Sequence, residues 1–329
     1  MKSRLSFFVL MLMIIPELTS QVQKRNLQPD DIYRMQNIGD AQISPEGNWI
    51  AFTISTIDSA KDKRNTDLWM TSWDGATSIQ LTNSPESENN PKWSPDGKFI
   101  SFTASRSGGS NQIYLLNRLG GEAIKLTDVK GDLSDYSWSP DSKKILLAIK
   151  EPADTSKKMG KPWVINKYQF KQDVSGYQYD QRKTHLYIFD TENKKTDTIT
   201  RGEYNESNAQ WSPDGSKIAF ASNHTEDPDK NRNSDIFIID AKPGSEAKAL
   251  TTWAGSDQSP QWSPDGKSIA YLRSTSDENY FMYDQSVLCV IPVSGGTPTL
   301  LSKSLDRPVN AHRWNKDGRS IVAIVSSDA

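Results

Sequence analysis

Gln210-Trp-Ser-Pro-Asp-Gly-Ser-Lys-Ile-Ala-Phe220 is the stretch whose reading decides the fold. Its first half is a turn with a mechanism. Pro213 presets φ at the first corner, Asp214 bonds back to the backbone, and Gly215 takes positive φ. Its second half alternates as a strand does, in Ile218-Ala-Phe220. The phrase recurs as Gln42-Ile-Ser-Pro-Glu-Gly-Asn-Trp-Ile-Ala-Phe52, Lys92-Trp-Ser-Pro-Asp-Gly-Lys-Phe-Ile-Ser-Phe102 and Ser137-Trp-Ser-Pro-Asp-Ser-Lys-Lys-Ile-Leu-Leu147. Two later copies are Gln261-Trp-Ser-Pro-Asp-Gly-Lys-Ser-Ile-Ala-Tyr271 and Arg313-Trp-Asn-Lys-Asp-Gly-Arg-Ser-Ile-Val-Ala323.

The aligned positions Ile43, Trp93, Trp138, Trp211, Trp262 and Trp314 step by 50, 45, 73, 51 and 52 residues. Two more landmarks keep the same step. One is an apolar β-forming patch centred on Leu68, Ile113, Leu186, Ile236 and Val287. The other is a short strand ending at Thr82, Thr127, Thr200, Thr251 and Ser302. Repeats of about 50 residues, each with several short strands, predict an all-β fold: a β-propeller of four-stranded blades. Five repeats carry all three landmarks and the sixth is partial, so the propeller is expected to be incomplete at the C-terminus, with about five and a half blades. An unfinished ring would leave an open strand edge. The expectation is that the sequence is the front part of a longer protein.

The repeated Trp reads as a blade-packing residue, because a residue present once per blade is explained by what every blade needs. A row of ligand-stacking Trp is the sharper alternative. The repeated Asp96, Asp141, Asp214, Asp265 and Asp317 read as turn formers.

The step of 73 residues marks an insertion of about 23 residues within 150–183. It opens as a polar loop, Lys150-Glu-Pro-Ala-Asp-Thr-Ser-Lys-Lys-Met-Gly-Lys-Pro162. It continues with aromatic and β-branched residues, from Trp163 to Tyr177, that suit an extra hairpin. Insertions in repeat proteins map to loops on one face, often the binding face; an excursion that only covers an edge fits the residues equally well.

Residues 1–20 read as a secretory signal peptide. Lys2 and Arg4 precede an eleven-residue apolar run, Leu5–Ile15, too short to span a bilayer. The propeller would then occupy 21–329, exported to the periplasm or secreted, with no membrane contact after signal cleavage. The 39 basic and 41 acidic residues argue against nucleic acid as a partner. The single cysteine, Cys289, excludes an intramolecular disulfide and a multi-cysteine metal site, and reads as a buried strand thiol.

Candidate chemistry is sparse. His185, His224 and His312 share no metal-ligand spacing and no partner motif. Asp227-Pro-Asp-Lys-Asn-Arg-Asn-Ser-Asp235 alternates oxygen ligands but lacks the sixth-position Gly and twelfth-position Glu of an EF-hand, and reads as a solvated loop. Asn205-Glu-Ser207 and Asn223-His-Thr225 match the glycosylation pattern, which matters only in a eukaryotic host. No catalytic residue, metal ligand or cofactor site is assigned, and substrate-contacting residues stay open.

The Trp-Ser-Pro-Asp-Gly repeats resemble those of TolB-like periplasmic proteins and of serine peptidases of the prolyl oligopeptidase family. The lead-in Leu27-Gln-Pro-Asp-Asp-Ile-Tyr-Arg-Met-Gln-Asn-Ile-Gly-Asp-Ala-Gln-Ile-Ser-Pro45 looks like the start of the peptidases' first blade. The insertion, Lys161-Pro-Trp-Val-Ile-Asn-Lys-Tyr-Gln-Phe170 with Asp173-Val-Ser-Gly-Tyr177 and Thr184-His-Leu-Tyr-Ile-Phe-Asp190, resembles the acylaminoacyl-peptidase and dipeptidyl-peptidase V branch. The resemblance covers residues 27–329. It implies the non-catalytic propeller of an exported serine exopeptidase, gating peptide substrates towards a C-terminal α/β-hydrolase domain that carries Ser, Asp and His. No Gly-x-Ser-x-Gly elbow occurs in 1–329, so this chain alone is expected to be inactive. The alternative is a stand-alone TolB-like propeller acting through protein contacts.

Overall fold

The computed structural model describes residues 25–153, 165, 167–174, 176–177, 182–276 and 284–326. The expected signal segment and much of the insertion's first half lie outside them. Among the described residues the chain folds into five four-stranded antiparallel sheets and a two-stranded sixth. The first is β1 (Asn37–Ile43), β2 (Trp49–Asp58), β3 (Lys63–Ser72) and β4 (Ser78–Gln80). The second is β5 (Glu88–Trp93), β6 (Phe99–Ala104), β7 (Gln112–Asn117) and β8 (Ile124–Lys125). In the third, β9 (Asp132–Trp138) and β10 (Lys144–Lys150) precede a small hairpin, β11 (Lys171–Gln172) and β12 (Gly176–Tyr177); β13 (Thr184–Asp190) and β14 (Thr196–Thr198) then complete the sheet. The fourth is β15 (Glu206–Trp211), β16 (Lys217–Ser222), β17 (Asp235–Asp240) and β18 (Lys248–Ala249). The fifth is β19 (Asp257–Trp262), β20 (Ser268–Ser274), β21 (Ser286–Pro292) and β22 (Thr299–Leu300). The last is β23 (Val309–Trp314) and β24 (Ile321–Val325). These are the blades of a propeller.

The recurring phrase joins the first and second strand of each blade. In the fourth blade Ser212 Oγ donates to Asp214 Oδ1 at 2.6 Å and accepts from Lys217 N at 2.9 Å. Asp214 Oδ1 also accepts from Ser216 N at 3.0 Å. These bonds, the Ser212 hydroxyl first, pull the Asp214 carboxyl down to about 2. The same Ser–Asp bond, at 2.6 Å, recurs at Ser94–Asp96, Ser139–Asp141 and Ser263–Asp265. The turn is therefore closed by side chains as well as by backbone.

The phrase also binds one blade to the next. The Trp93 indole Nε1 donates to Gln42 O at 3.0 Å, Trp211 to Ser137 O at 3.2 Å, Trp262 to Gln210 O at 3.3 Å and Trp314 to Gln261 O at 3.2 Å. Each acceptor is the residue just before the aligned position of the preceding blade. Trp138 departs from the rule: it donates to Ser101 Oγ at 2.8 Å, and Ser101 donates onward to Lys92 O at 3.0 Å, so a hydroxyl relays the same link. The turns stack as well. Gly215 has φ +70°, and a Cβ there would lie 3.5 Å from Pro140 Cδ of the blade before. The glycine thus serves both the positive φ and the close approach.

Apolar burial follows the same repeat. The second and third strands are nearly continuous β-formers because they pack on both faces. Five clusters fill the five junctions between successive blades; for instance Ile218, Phe220 and Phe237 meet Leu186 and Ile188 between the third and fourth. Leu68, Ile113, Leu186 and Ile236 are fully buried. In the fifth blade the equivalent residue is Leu288 rather than Val287: Leu288 N donates to Ser302 Oγ at 2.9 Å, as Leu68 N does to Thr82 Oγ1 at 2.8 Å. The sequence patch is symmetrical there, so its centre was displaced by one residue. Cys289 is fully buried, and burial pushes its thiol up to about 11.

Trp262→Phe removes one inter-blade donor and leaves Gln210 O short of a partner; it should cost about 1–2 kcal/mol in urea unfolding. Gly266→Ala forces a Cβ onto φ +70° and should cost about 1–2 kcal/mol. Trp73→Phe, at a 64% exposed indole, should change stability by less than about 0.5 kcal/mol.

Candidate functional site

At the end of the propeller opposite the Ser-Pro-Asp-Gly turns, a polar motif recurs between blades. The residue before each apolar landmark, the landmark Thr and the residue opening the next blade converge there. Thr82 Oγ1 donates to Glu88 Oε2 at 3.0 Å, and Thr200 Oγ1 to Glu206 Oε2 at 2.9 Å. Thr127 Oγ1 donates to Gln112 Oε1 at 2.9 Å, and Thr251 Oγ1 to Asp235 Oδ1 at 3.1 Å. Each landmark Thr accepts a backbone N–H of its own blade; Thr82 and Thr200 donate onward to the acid that opens the next blade, whereas Thr127 and Thr251 donate to a side chain of their own blade's third strand.

Glu88 and Asp257 are fully buried, and Glu206 is buried. A buried carboxylate needs a cation or several donors. Arg273 grips Asp257 with two bonds, both 2.8 Å, its guanidinium lying 5.1 Å from the Trp253 ring and 5.5 Å from the Tyr271 ring. Arg106 reaches Glu88 at 3.2 Å and lies 4.5 Å from the Tyr114 ring. His185 Nδ1 stands 3.0 Å from Glu206 Oε2, and that contact holds the imidazole above its ordinary value. Asp235 is pushed up to about 6, first by burial and also by the Asp257 charge.

The histidines are not brought together. His185 is spent on Glu206. His224 is stacked between the rings of Tyr204, at 4.0 Å, and Phe237, at 4.1 Å, and burial lowers its pKa. His312 is buried and likewise lowered. The loop Asp227–Asp235 does not gather its carboxylates: Asp227 pairs with Lys230 at 2.9 Å, and Asp235 points into the junction. Among the described residues no group of three His, Cys, Asp or Glu could hold a metal ion.

Asp229 of that loop holds the insertion. It accepts from the backbone N–H of Tyr168 and of Gln169, and Gln169 Nε2 donates to Asp229 O at 2.9 Å. The stem is clamped where it leaves and returns: Arg182 Nη1 donates to Asp132 Oδ2 at 2.7 Å and to Glu151 O at 2.9 Å, and Lys183 N donates to Glu151 Oε2 at 3.1 Å. The hairpin therefore lies over the neighbouring blade's loop, with Tyr168 and Val174 exposed. On the same face a cavity of about 280 Å³ is lined by Arg232, Gln258, Ser259, Ser274 and Asp284. Gly255 forms part of its wall because a Cβ there would come within 2.2 Å of Ser276 O.

The acids escaped the sequence reading, yet they carried a signal. Glu88, Glu206 and Asp257 each stand five residues before the repeated Trp. A second periodic feature was also missed: Asp40, Asn90, Asn208 and Ser259, three residues before the aligned position, take left-handed φ of 50° to 54° at bulges in the first strands.

A family model described as the TolB beta propeller domain matches residues 29–162 and 171–329, and the chain belongs to that family. Dipeptidyl-peptidase 5 of Porphyromonas gingivalis is 27% identical, over 92% of this chain and 47% of its own length. An uncharacterized peptidase, YuxL, of Bacillus subtilis is 27% identical, over 66% of this chain and 34% of its own length. The chain therefore spans half or less of the curated relatives it matches. Among solved structures, the acylaminoacyl peptidase of Pyrococcus horikoshii superposes with a TM-score of 0.64 at 17% identity, over 85% of this chain and 42% of that one. Among the described residues no helix is long and apolar enough to cross a membrane.

Two outcomes test this face. A carboxyl raised in the folded state holds its proton there while the unfolded chain releases it, so Asp235 lowers stability as pH rises from about 4 through about 6. Asp235→Asn keeps an acceptor for Thr251 and Trp253 but cannot ionise. Its stability relative to wild type should therefore grow across that window and level off above it, as read by urea midpoints. Asp229→Ala should free the hairpin, accelerating proteolytic cleavage between 165 and 177 several-fold with little change in the global midpoint.

Proposed function

We propose that this propeller is the non-catalytic portion of an exported serine exopeptidase, admitting and orienting short peptides for an α/β-hydrolase domain. The observation that carries the reading is the alignment across 92% of the chain with about half of a dipeptidyl-peptidase. The clamped insertion supports it, since it carries exposed aromatic and aliphatic side chains on the face that also holds a polar cavity. The buried acids of that face are neutralised by Arg106, His185 and Arg273. In this reading they hold the face rigid, and recognition falls to the exposed hairpin and the cavity serines.

The coding sequence beyond Ala329 provides the test. The reading expects further propeller strands and then Gly-x-Ser-x-Gly on a strand-to-helix turn. A stop codon after one more blade would overturn it and favour a stand-alone TolB-like interaction module, the reading to which the family model lends support. Chain 21–329 purified alone should leave dipeptidyl and acylaminoacyl chromogenic substrates uncleaved, whereas the whole gene product should cleave one of the two classes.

A further inference from the structure

The insertion leaves the third blade and returns to it beside a buried histidine, and the exopeptidase reading gives that residue no role of its own. His185 lies on β13, and only 4% of it is exposed. Its Nδ1 stands 3.0 Å from Glu206 Oε2 of the fourth blade. Its Nε2 stands 3.8 Å from Glu151 Oε1, where the insertion departs. The Gly202 carbonyl also accepts from the ring. Both ring nitrogens therefore face acceptors.

A neutral imidazole has one N–H and presents a lone pair from its other nitrogen. Here that lone pair would face an oxygen. The doubly protonated ring suits the site, and the Glu206 hydrogen bond, opposed by burial, raises His185 above its ordinary value of 6.5. The two carboxylates differ in what they can do when the charge goes. Glu206 is buried and keeps its 2.9 Å bond from Thr200. The Glu151 side chain is 45% exposed, so water can take it up. Glu151 is also the root of the insertion: its carboxylate accepts from Lys183 N at 3.1 Å and its carbonyl from Arg182 at 2.9 Å. Other charged or titratable groups packed nearby are Lys150 at the end of β10, the Arg182–Asp132 pair of the stem, Arg201 after β14, Tyr187 on β13 and His224 after β16. Burial holds Tyr187 up and His224 down, which keeps both neutral between about pH 7 and about pH 9.

We propose that His185 is a proton-operated pin joining the root of the insertion to the fourth blade. Charged, it holds Glu151 and Glu206 on its two nitrogens at once. Neutral, it keeps Glu206 and releases Glu151, and the hairpin loosens. The pin's contribution is complete below about pH 6.5 and is lost as pH rises through the higher value of the folded state. The device acts on the insertion itself and does not depend on peptidase activity.

Hydrogen–deuterium exchange on the full chain tests this, with times corrected for the intrinsic amide rate at each pH. Protection over 167–174, which includes the Tyr168 and Gln169 N–H groups bonded to Asp229, should fall at least about threefold between about pH 6 and about pH 8.5. Strand β7 in the second blade should stay unchanged. The midpoint of the fall should match that of the His185 ring, read by NMR in a chain with 3 histidines. Glu151→Gln should lower the ring's midpoint and flatten the fall. His185→Gln cannot ionise and should abolish it. The proposal fails if wild-type protection over 167–174 does not change with pH, or if its midpoint departs from that of His185. It fails equally if either variant keeps the wild-type fall. The first two readings use only the wild-type chain, so misfolding of a variant cannot decide the result.

Discussion

The propeller depends on one link repeated along the chain: an indole N–H of one blade bonded to a backbone carbonyl of the blade before it. A sheet edge or face left without a partner is costly. The link answers this by joining neighbouring first strands where the chain would otherwise offer an unpaired carbonyl. The Pro–Gly contact between successive turns and the apolar cluster behind them act on the same two blades. Stability in such a chain is nearly a sum over neighbouring pairs, so a defect in one link weakens one junction first. The Ser101 relay shows the tolerance of the design: where the geometry at Trp138 shifts, a hydroxyl spans the gap.

The two ends of the propeller use polar groups differently. At the turn end, Ser and Asp side chains satisfy their own turn. At the other end, carboxylates are drawn into the junctions, where the loss of water must be offset by Arg, His or Thr partners. That end is crowded with interlocked charges, and the insertion is fastened over it by Asp229 and Arg182. Rigid junctions beneath an added hairpin make a platform on which a loop can vary without disturbing the blades.

Much of this was legible in the residues. The period, the turn chemistry, the packing role of Trp and the place of the long gap all follow from local rules, because each blade must solve the same problem with the same tools. The third landmark was legible as a position but not as a role: Thr82, Thr127, Thr200 and Thr251 looked like strand ends, whereas their hydroxyls tie down polar side chains, those of Thr82 and Thr200 across to the next blade. The acids five residues before Trp were regular enough to notice. Their partners were not, because Arg273 and Arg106 lie after the acids on the second strand or just beyond it, and His185 precedes its acid on the third strand of the blade before.

By itself the sequence determined the all-β repeat, since φ preferences, strand alternation and burial of Ile, Phe and Trp act within a few residues or between adjacent blades. Only the tertiary structure decided which charges neutralise one another, which landmark of the fifth blade is Leu288, and that four indoles line one hollow. Those outcomes depend on distances across blades. The repeat spacing sets which residues are equivalent, but the stacking of blades around an axis decides which of them meet.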